Sequence, residues 1–131
     1  MKKNELIEKA RSRFLRGYNC AESVWGTLLE VWGQDRDVFL PLTTPFGGGM
    51  GLRGSVCGAI SGGLMALGLK YGRTQPDQDK EKVYQLALEF YHQFEKTFGS
   101  ALCYDLIKID LADPEARKTY EALNLREEKC V

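Results

Sequence analysis

The sequence predicts an all-α fold: an irregular bundle of five or six helices with a buried central glycine- and alanine-rich helix at about residues 56–71. Three observations lead there. Apolar residues recur at three- and four-residue intervals, no run alternates apolar with polar residues as a half-buried strand would, and the periodic stretches are bounded by capping residues, glycines and prolines. At 131 residues the chain is expected to form one domain, 1–131, large enough to bury a core without disulfides or structural metal.

The first helix is expected over residues 4–16, where Leu6, Ile7, Ala10 and Phe14 share a face, and Gly17 ends it. Asn19 then offers an N-cap oxygen and Glu22 the matching capping-box carboxylate, so a second helix starts at Cys20 and carries Val24, Trp25, Leu28, Leu29 and Trp32. From Gly33 to Gly54 the pattern breaks into a long connection with Pro41, Pro45 and a glycine cluster, with one helical turn near Val38-Phe39-Leu40.

Ser55 is the expected N-cap of the central helix, which is uncharged from Val56 to Leu69 and stops near Tyr71-Gly72. Its Gly58, Gly62 and Ala66 lie on one stripe, where another helix backbone packs closely or a flat cofactor lies. Pro76, with Asp77 and Asp79, marks the first turn of the next helix, which runs to Phe98 and buries Val83, Leu86, Ala87, Phe90, Phe94 and Phe98. The only histidine, His92, falls off that stripe and reads as a solvated or rim residue rather than a ligand or base. Gly99 stops this helix, Ser100 caps another carrying Leu102, Leu106, Ile107 and Ile109, and Asp113-Pro114 starts a last one with Ala116, Tyr120 and Leu123.

Charge narrows the function classes. Lys plus Arg and Asp plus Glu both number 18, so neither a nucleic-acid partner nor a basic membrane-binding patch is expected. The charged stretch Met1–Lys9 has no signal-peptide pattern, which leads to a cytoplasmic expectation, and the uncharged run Val56–Leu69 is too short for a membrane span. Four cysteines, Cys20, Cys57, Cys103 and Cys130, occur without any C-x-x-C pair, which removes the signatures of zinc ribbons, thioredoxin motifs and covalent haem attachment.

Three of these cysteines are expected in first turns of helices, where unpaired N–H groups and aligned peptide dipoles favour a thiolate. The dipole supplies roughly 0.3–1 kcal/mol, less than one unit of pKa, so a strongly activated thiolate needs another group; Arg53 is the nearest in sequence to Cys57. A short connection at 72–76 makes the central helix and its successor antiparallel, which brings Cys103 back to Cys57 and predicts a cysteine cluster at one end of the bundle.

Asn19-Cys20-Ala21-Glu22-Ser23-Val24, the glycine loop followed by Cys57-Gly58-Ala59-Ile60-Ser61-Gly62, then Phe98-Gly99 with Cys103, and finally Cys130 together resemble the C_GCAxxG_C_C family over nearly the whole chain. The central motif reads Cys-Gly-Ala here, so the letter order of the family name is not reproduced. The resemblance implies a redox role for the cysteines and no particular substrate.

Two chemistries stay open at this point. In thiol–disulfide exchange, Cys57 attacks or is oxidised, Cys103 or Cys20 resolves it and Cys130 is a mobile partner; the counterpart is a redox protein or a small thiol. In the alternative, Cys20, Cys57, Cys103 and Cys130 ligate a metal ion or an iron–sulfur cluster. A binding-module reading gives Gly47, Gly48, Gly49, Arg53, Gly58 and Gly62 to a phosphate-bearing cofactor or partner, although no G-x-x-x-x-G-K-[ST] sequence and no preceding strand support nucleotide binding. Trp25, Trp32, Phe39 and Phe46 fit a core or a homodimer surface. A cysteine hydrolase using His92 lacks a nucleophile signature.

Overall fold

The computed structural model describes residues 2–130, and among them the fold is all-α, with eight helices and no strand. Five are long: α1 (Lys3–Leu15), α2 (Cys20–Val31), α5 (Gly58–Tyr71), α6 (Glu81–Phe98) and α8 (Pro114–Ala122). Three are single turns: α3 (Arg36–Phe39), α4 (Gly47–Met50) and α7 (Cys103–Ile107). The 33–54 connection is therefore more structured than its proline and glycine content suggests, with a 3₁₀ segment, Leu40–Phe46, bridging α3 and α4.

Where local chemistry dictates a boundary, the boundary falls as expected. Asn19 Oδ1 accepts the Glu22 N–H at 2.8 Å, and Glu22 Oε1 accepts the Asn19 N–H at 2.9 Å, which fixes the α2 start at Cys20. Asp113 caps α8 by accepting the Glu115 N–H at 3.0 Å, and Gly99 ends α6 with φ +88°. The α1–α2 hairpin is pinned by the buried Arg13, which donates to Thr27 Oγ1 at 2.7 Å and pairs with Glu30, itself held by Lys9 at 2.9 Å.

Helix α5 sits centrally, with Gly58, Ile60, Ser61, Gly62 and Ala66 buried. Its glycine stripe faces α2: a Cβ on Gly62 would stand 2.8 Å from the Ala21 carbonyl oxygen and 3.3 Å from Val24 Cβ. Backbone packing thus fills the space in front of Gly62, and Trp25, Leu29 and Ala66 form the adjoining core. On its other side α5 packs antiparallel to α6, since Phe90 lies over Gly63 while Lys82 Nζ reaches the Tyr71 ring at 4.4 Å.

Three boundaries differ from expectation, each for a stated reason. Ser55 does not cap α5; the segment 54–57 pairs with 101–104 through a Val56–Leu102 bridge, and Cys57 is the N-cap. Helix α6 begins at Glu81 rather than near Pro76, because Arg73, Thr74 and Gln78 close a hydrogen-bonded turn first and Asp79 accepts the Glu81 N–H at 3.0 Å. Ser100 spends its hydroxyl on the Leu102 N–H and the Asp105 carboxylate, Leu102 is the N-cap of α7, and α7 stops at Lys108 in the left-handed region, leaving Ile109 outside. The apolar stripe of α6 has the expected period, but no residue of α6 is buried and Phe98 is exposed. No helix among the described residues is long and apolar enough to cross a membrane.

Candidate functional site

The site is assembled around the first residue of α2. The capping box orients that terminus, and Asn19 Nδ2 also donates to the Thr44 carbonyl at 3.0 Å while Thr44 Oγ1 donates to Glu22 Oε2 at 2.8 Å. These bonds dock the 3₁₀ segment against the α2 start and deliver the glycine loop to Cys20. Gly48 and Gly49 adopt φ +65° and +71°, a conformation that side chains rarely take, so the chain can turn its N–H groups inward there. Space is equally restrictive: a Cβ on Gly47 would fall 2.5 Å from Asn19 Nδ2, and one on Gly49 2.7 Å from Cys103 Cβ.

A short antiparallel pairing, Val56 with Leu102, completes the frame. Cys57 donates its N–H to the Ala101 carbonyl at 2.8 Å, Cys103 donates to Ser55 at 2.7 Å, and Tyr104 donates to Gly54 at 3.0 Å. Cys57 and Cys103 thus stand at the entries of α5 and α7 on paired segments, as the antiparallel α5–α6 hairpin predicted. Three of the four cysteines occupy helix starts: Cys20 and Cys103 as first helical residues and Cys57 as an N-cap.

Cys20 and Cys57 form an interacting thiol pair, each the largest single influence on the other's titration. Gly58 makes that approach possible, because a Cβ there would collide with Cys20 Sγ and lie 2.9 Å from the Ala21 nitrogen. The two sulfurs are not equivalent. The Cys57 thiol and the backbone N–H groups of Gly48, Ala21 and Gly58 stabilise a negative sulfur at Cys20 and bring its pKa down to about 6, against the opposing effect of burial. Cys57 is pushed the other way, first by its bond to Cys20, then by burial and by the Cys20 charge. The direction of the shifts favours negative charge on Cys20 over Cys57, whereas the expectation from sequence is an attacking thiolate at Cys57. Arg53 is exposed and is not among the groups acting on either sulfur.

Cys103 is buried beside Ile107 and Leu111, and burial, aided by the charges of Cys20 and Cys130, raises its thiol to about 12. Cys130 reaches the same end on the exposed tail segment Arg126–Cys130, where its sulfur lies 3.4 Å from the Tyr120 hydroxyl; partial loss of solvent around the pair raises both groups. The tail is tied back by Arg126, which donates to the Phe14 and Tyr18 carbonyls at 2.5 and 2.6 Å and lies over the Phe14 ring. All four cysteines are free thiols. They converge on one end, yet among the described residues no three of His, Cys, Asp and Glu are grouped so as to hold a metal ion. His92 is exposed on α6 and lines a groove with Tyr84 and Leu88, away from the sulfurs.

The sequence signal that locates Cys20 at the centre is the capping box immediately before it, read together with the glycine cluster that must find a place to aim its N–H groups. Comparison with curated proteins and with solved structures finds no match. The profile of the family described as "Putative redox-active protein (C_GCAxxG_C_C)" matches residues 18–131, all of the chain beyond α1 and the turn that follows it, and the chain belongs to that family.

Proposed function

We propose that the protein carries out thiol–disulfide exchange through a Cys20–Cys57 dithiol, with Cys20 as the attacking thiolate. The reading is supported by the Cys20–Cys57 thiol pair at the meeting of α2, the glycine loop and α5, where the surroundings favour negative charge on Cys20 and disfavour it on Cys57. The Cys20 thiolate attacks one sulfur of a disulfide R–S–S–R′, forming a Cys20–S–S–R bond and releasing R′S⁻, which takes the Cys57 proton. The Cys57 thiolate then attacks Cys20 Sγ, closing a Cys20–Cys57 disulfide and releasing RS⁻, which is protonated by solvent. Two electrons pass from the dithiol to the substrate disulfide; the reverse sequence oxidises a dithiol partner. Closure brings the two sulfurs to a bond of about 2.05 Å.

In this reading the substrate is a small-molecule disulfide or an exposed protein disulfide, and the setting is a reducing, cytosol-like compartment in which the pair rests as thiols. Cys103 and Cys130, whose thiols are raised by burial, stay protonated during the first exchange. Each of Cys20, Cys57 and Cys103 lies on its own tryptic peptide, residues 17–36, 54–70 and 97–108. Equilibration in glutathione buffers, followed by alkylation and mass spectrometry, is expected to give a linked 17–36/54–70 pair that forms and disappears over one two-electron transition. Absence of that linkage in fully oxidised, folded protein overturns the proposal.

A further inference from the structure

Helix α6 presents an outward face with nothing packed on it. Tyr84 and Leu88 are 55% and 68% exposed, Tyr91 and Ala87 are half-buried beside them, and together with Leu64 of α5 they line a groove of about 580 Å³. The positions follow at i, i+4 and i+7, a continuous apolar stripe along the helix, and contiguous stripes of this kind are uncommon on monomers.

The exposed surface of the whole chain points the same way. It amounts to 8392 Å², about 1,400 Å² more than the roughly 7,000 Å² that a compact monomer of 14.8 kDa exposes. Obligate homodimers bury on the order of 1,000–2,500 Å² per protomer, so the surplus is the size of one such interface.

The charge on the groove selects the occupant. Of its lining residues only Glu95 carries a formal charge, and Lys80 stands at its edge with Nζ 5.7 Å from the Tyr84 ring, so the face can meet a copy of itself with little like-charge repulsion, while a single lysine does not make the basic rim that an anionic membrane surface attracts. We propose that this α5–α6 face is the two-fold interface of a homodimer, with Leu88 and Tyr84 of each protomer seated in the groove of the other. The groove lies along the middle of α5 and α6, so the cysteine end of each protomer stays open. The inference does not rest on the thiol chemistry.

Sedimentation velocity of the full chain in reducing buffer tests it. At about 100 µM the wild type is expected to run at twice 14.8 kDa. Leu88→Glu and Leu88→Lys are each expected to run at the single-chain mass with unchanged far-ultraviolet circular dichroism, because each places like charges across the two-fold axis, and an equimolar mixture of the two is expected to recover the doubled mass. Hydrogen exchange on the wild type is an independent readout, with amides of residues 84–95 gaining protection as concentration rises. A wild type that runs at the single-chain mass, alone or until anionic vesicles are added, overturns the proposal, as does a folded Leu88→Glu that keeps the doubled mass.

Discussion

Cys57→Ala is the perturbation that separates the Cys57 thiol from the other groups acting on Cys20. In the wild type the Cys20 pKa lies near about 6, with the Cys57 thiol as the largest single cause. A hydrogen bond to a charged acceptor contributes about 1.5–3 kcal/mol, which at about 1.4 kcal/mol per unit corresponds to one to two pKa units. The variant should titrate at about 7–8, since the Gly48, Ala21 and Gly58 N–H groups remain. The rate of alkylation at pH 7 is a poor readout of that change. For a shift to 8, the thiolate fraction falls about tenfold, but a more basic thiolate is intrinsically more nucleophilic, with a Brønsted slope of about 0.4–0.5, and regains about eightfold. The whole profile is diagnostic: relative to wild type, iodoacetamide labelling of peptide 17–36 should be about tenfold slower at pH 5, nearly equal at pH 7 and several-fold faster at pH 9. Cys57→Ser keeps a donor and should stay within about one unit of the wild-type inflection. An inflection unmoved in Cys57→Ala, or a profile merely scaled at every pH, would refute the assignment of Cys57 as the donor to a Cys20 thiolate.

Other outcomes follow from the same geometry. Because Cys20 titrates lower in the folded chain than its ordinary value of 9.0, the stability it contributes is complete above pH 9 and is lost as pH falls through about 6; the melting-temperature gap between wild type and Cys20→Ser should widen from pH 6 to pH 9, measured by calorimetry under reducing conditions. Gly58→Ala forces a methyl group into Cys20 Sγ and the Ala21 backbone and should cost about 1–3 kcal/mol in chemical denaturation, while raising the Cys20 inflection by separating the sulfurs. Glu30, held by Lys9 and Arg13 and lowered from 4.5 to about 2, stabilises the chain above pH 4.5 and loses that contribution as pH falls toward 2, so Glu30→Gln should flatten the acid limb of the stability curve. Arg13→Ala, which leaves the buried Thr27 hydroxyl without its donor, should destabilise by about 2–4 kcal/mol by urea titration.

What the sequence discloses here is what neighbours in sequence decide. The Asn19/Glu22 box, the Asp113-Pro114 start and the Gly99 stop are closed by bonds spanning two to four residues, and each fell where the residues place it. Ser55 has the same local credentials as a cap and fails, because pairing of 54–57 with 101–104 supplies those N–H and carbonyl groups with partners some 46 residues away, which no local pattern announces. Convergence of Cys57 and Cys103 was legible from hairpin topology. The polarity of the Cys20–Cys57 pair was not, since it depends on Gly48 and Gly58 aiming N–H groups at one sulfur rather than the other. Periodicity likewise identifies the apolar face of α6 but carries no information about whether the rest of the chain covers it.

The groups that tune Cys20 have one more consequence, for the order of events during folding. Gly48 and Gly58 lie 28 and 38 residues beyond the sulfur they stabilise, and Cys57, itself held by the segment at 101–103, lies 37 residues beyond it. None of these partners exists for Cys20 until α2, the glycine loop and α5 have packed. Until then it is an ordinary thiol, and at the unshifted value of 9.0 only about 1% is thiolate at pH 7. Because the more basic thiolate is also the better nucleophile, the net gain in Cys20 reactivity at pH 7 is only several-fold, but it arrives as a late product of folding, when Cys57 is already the nearest sulfur to receive it.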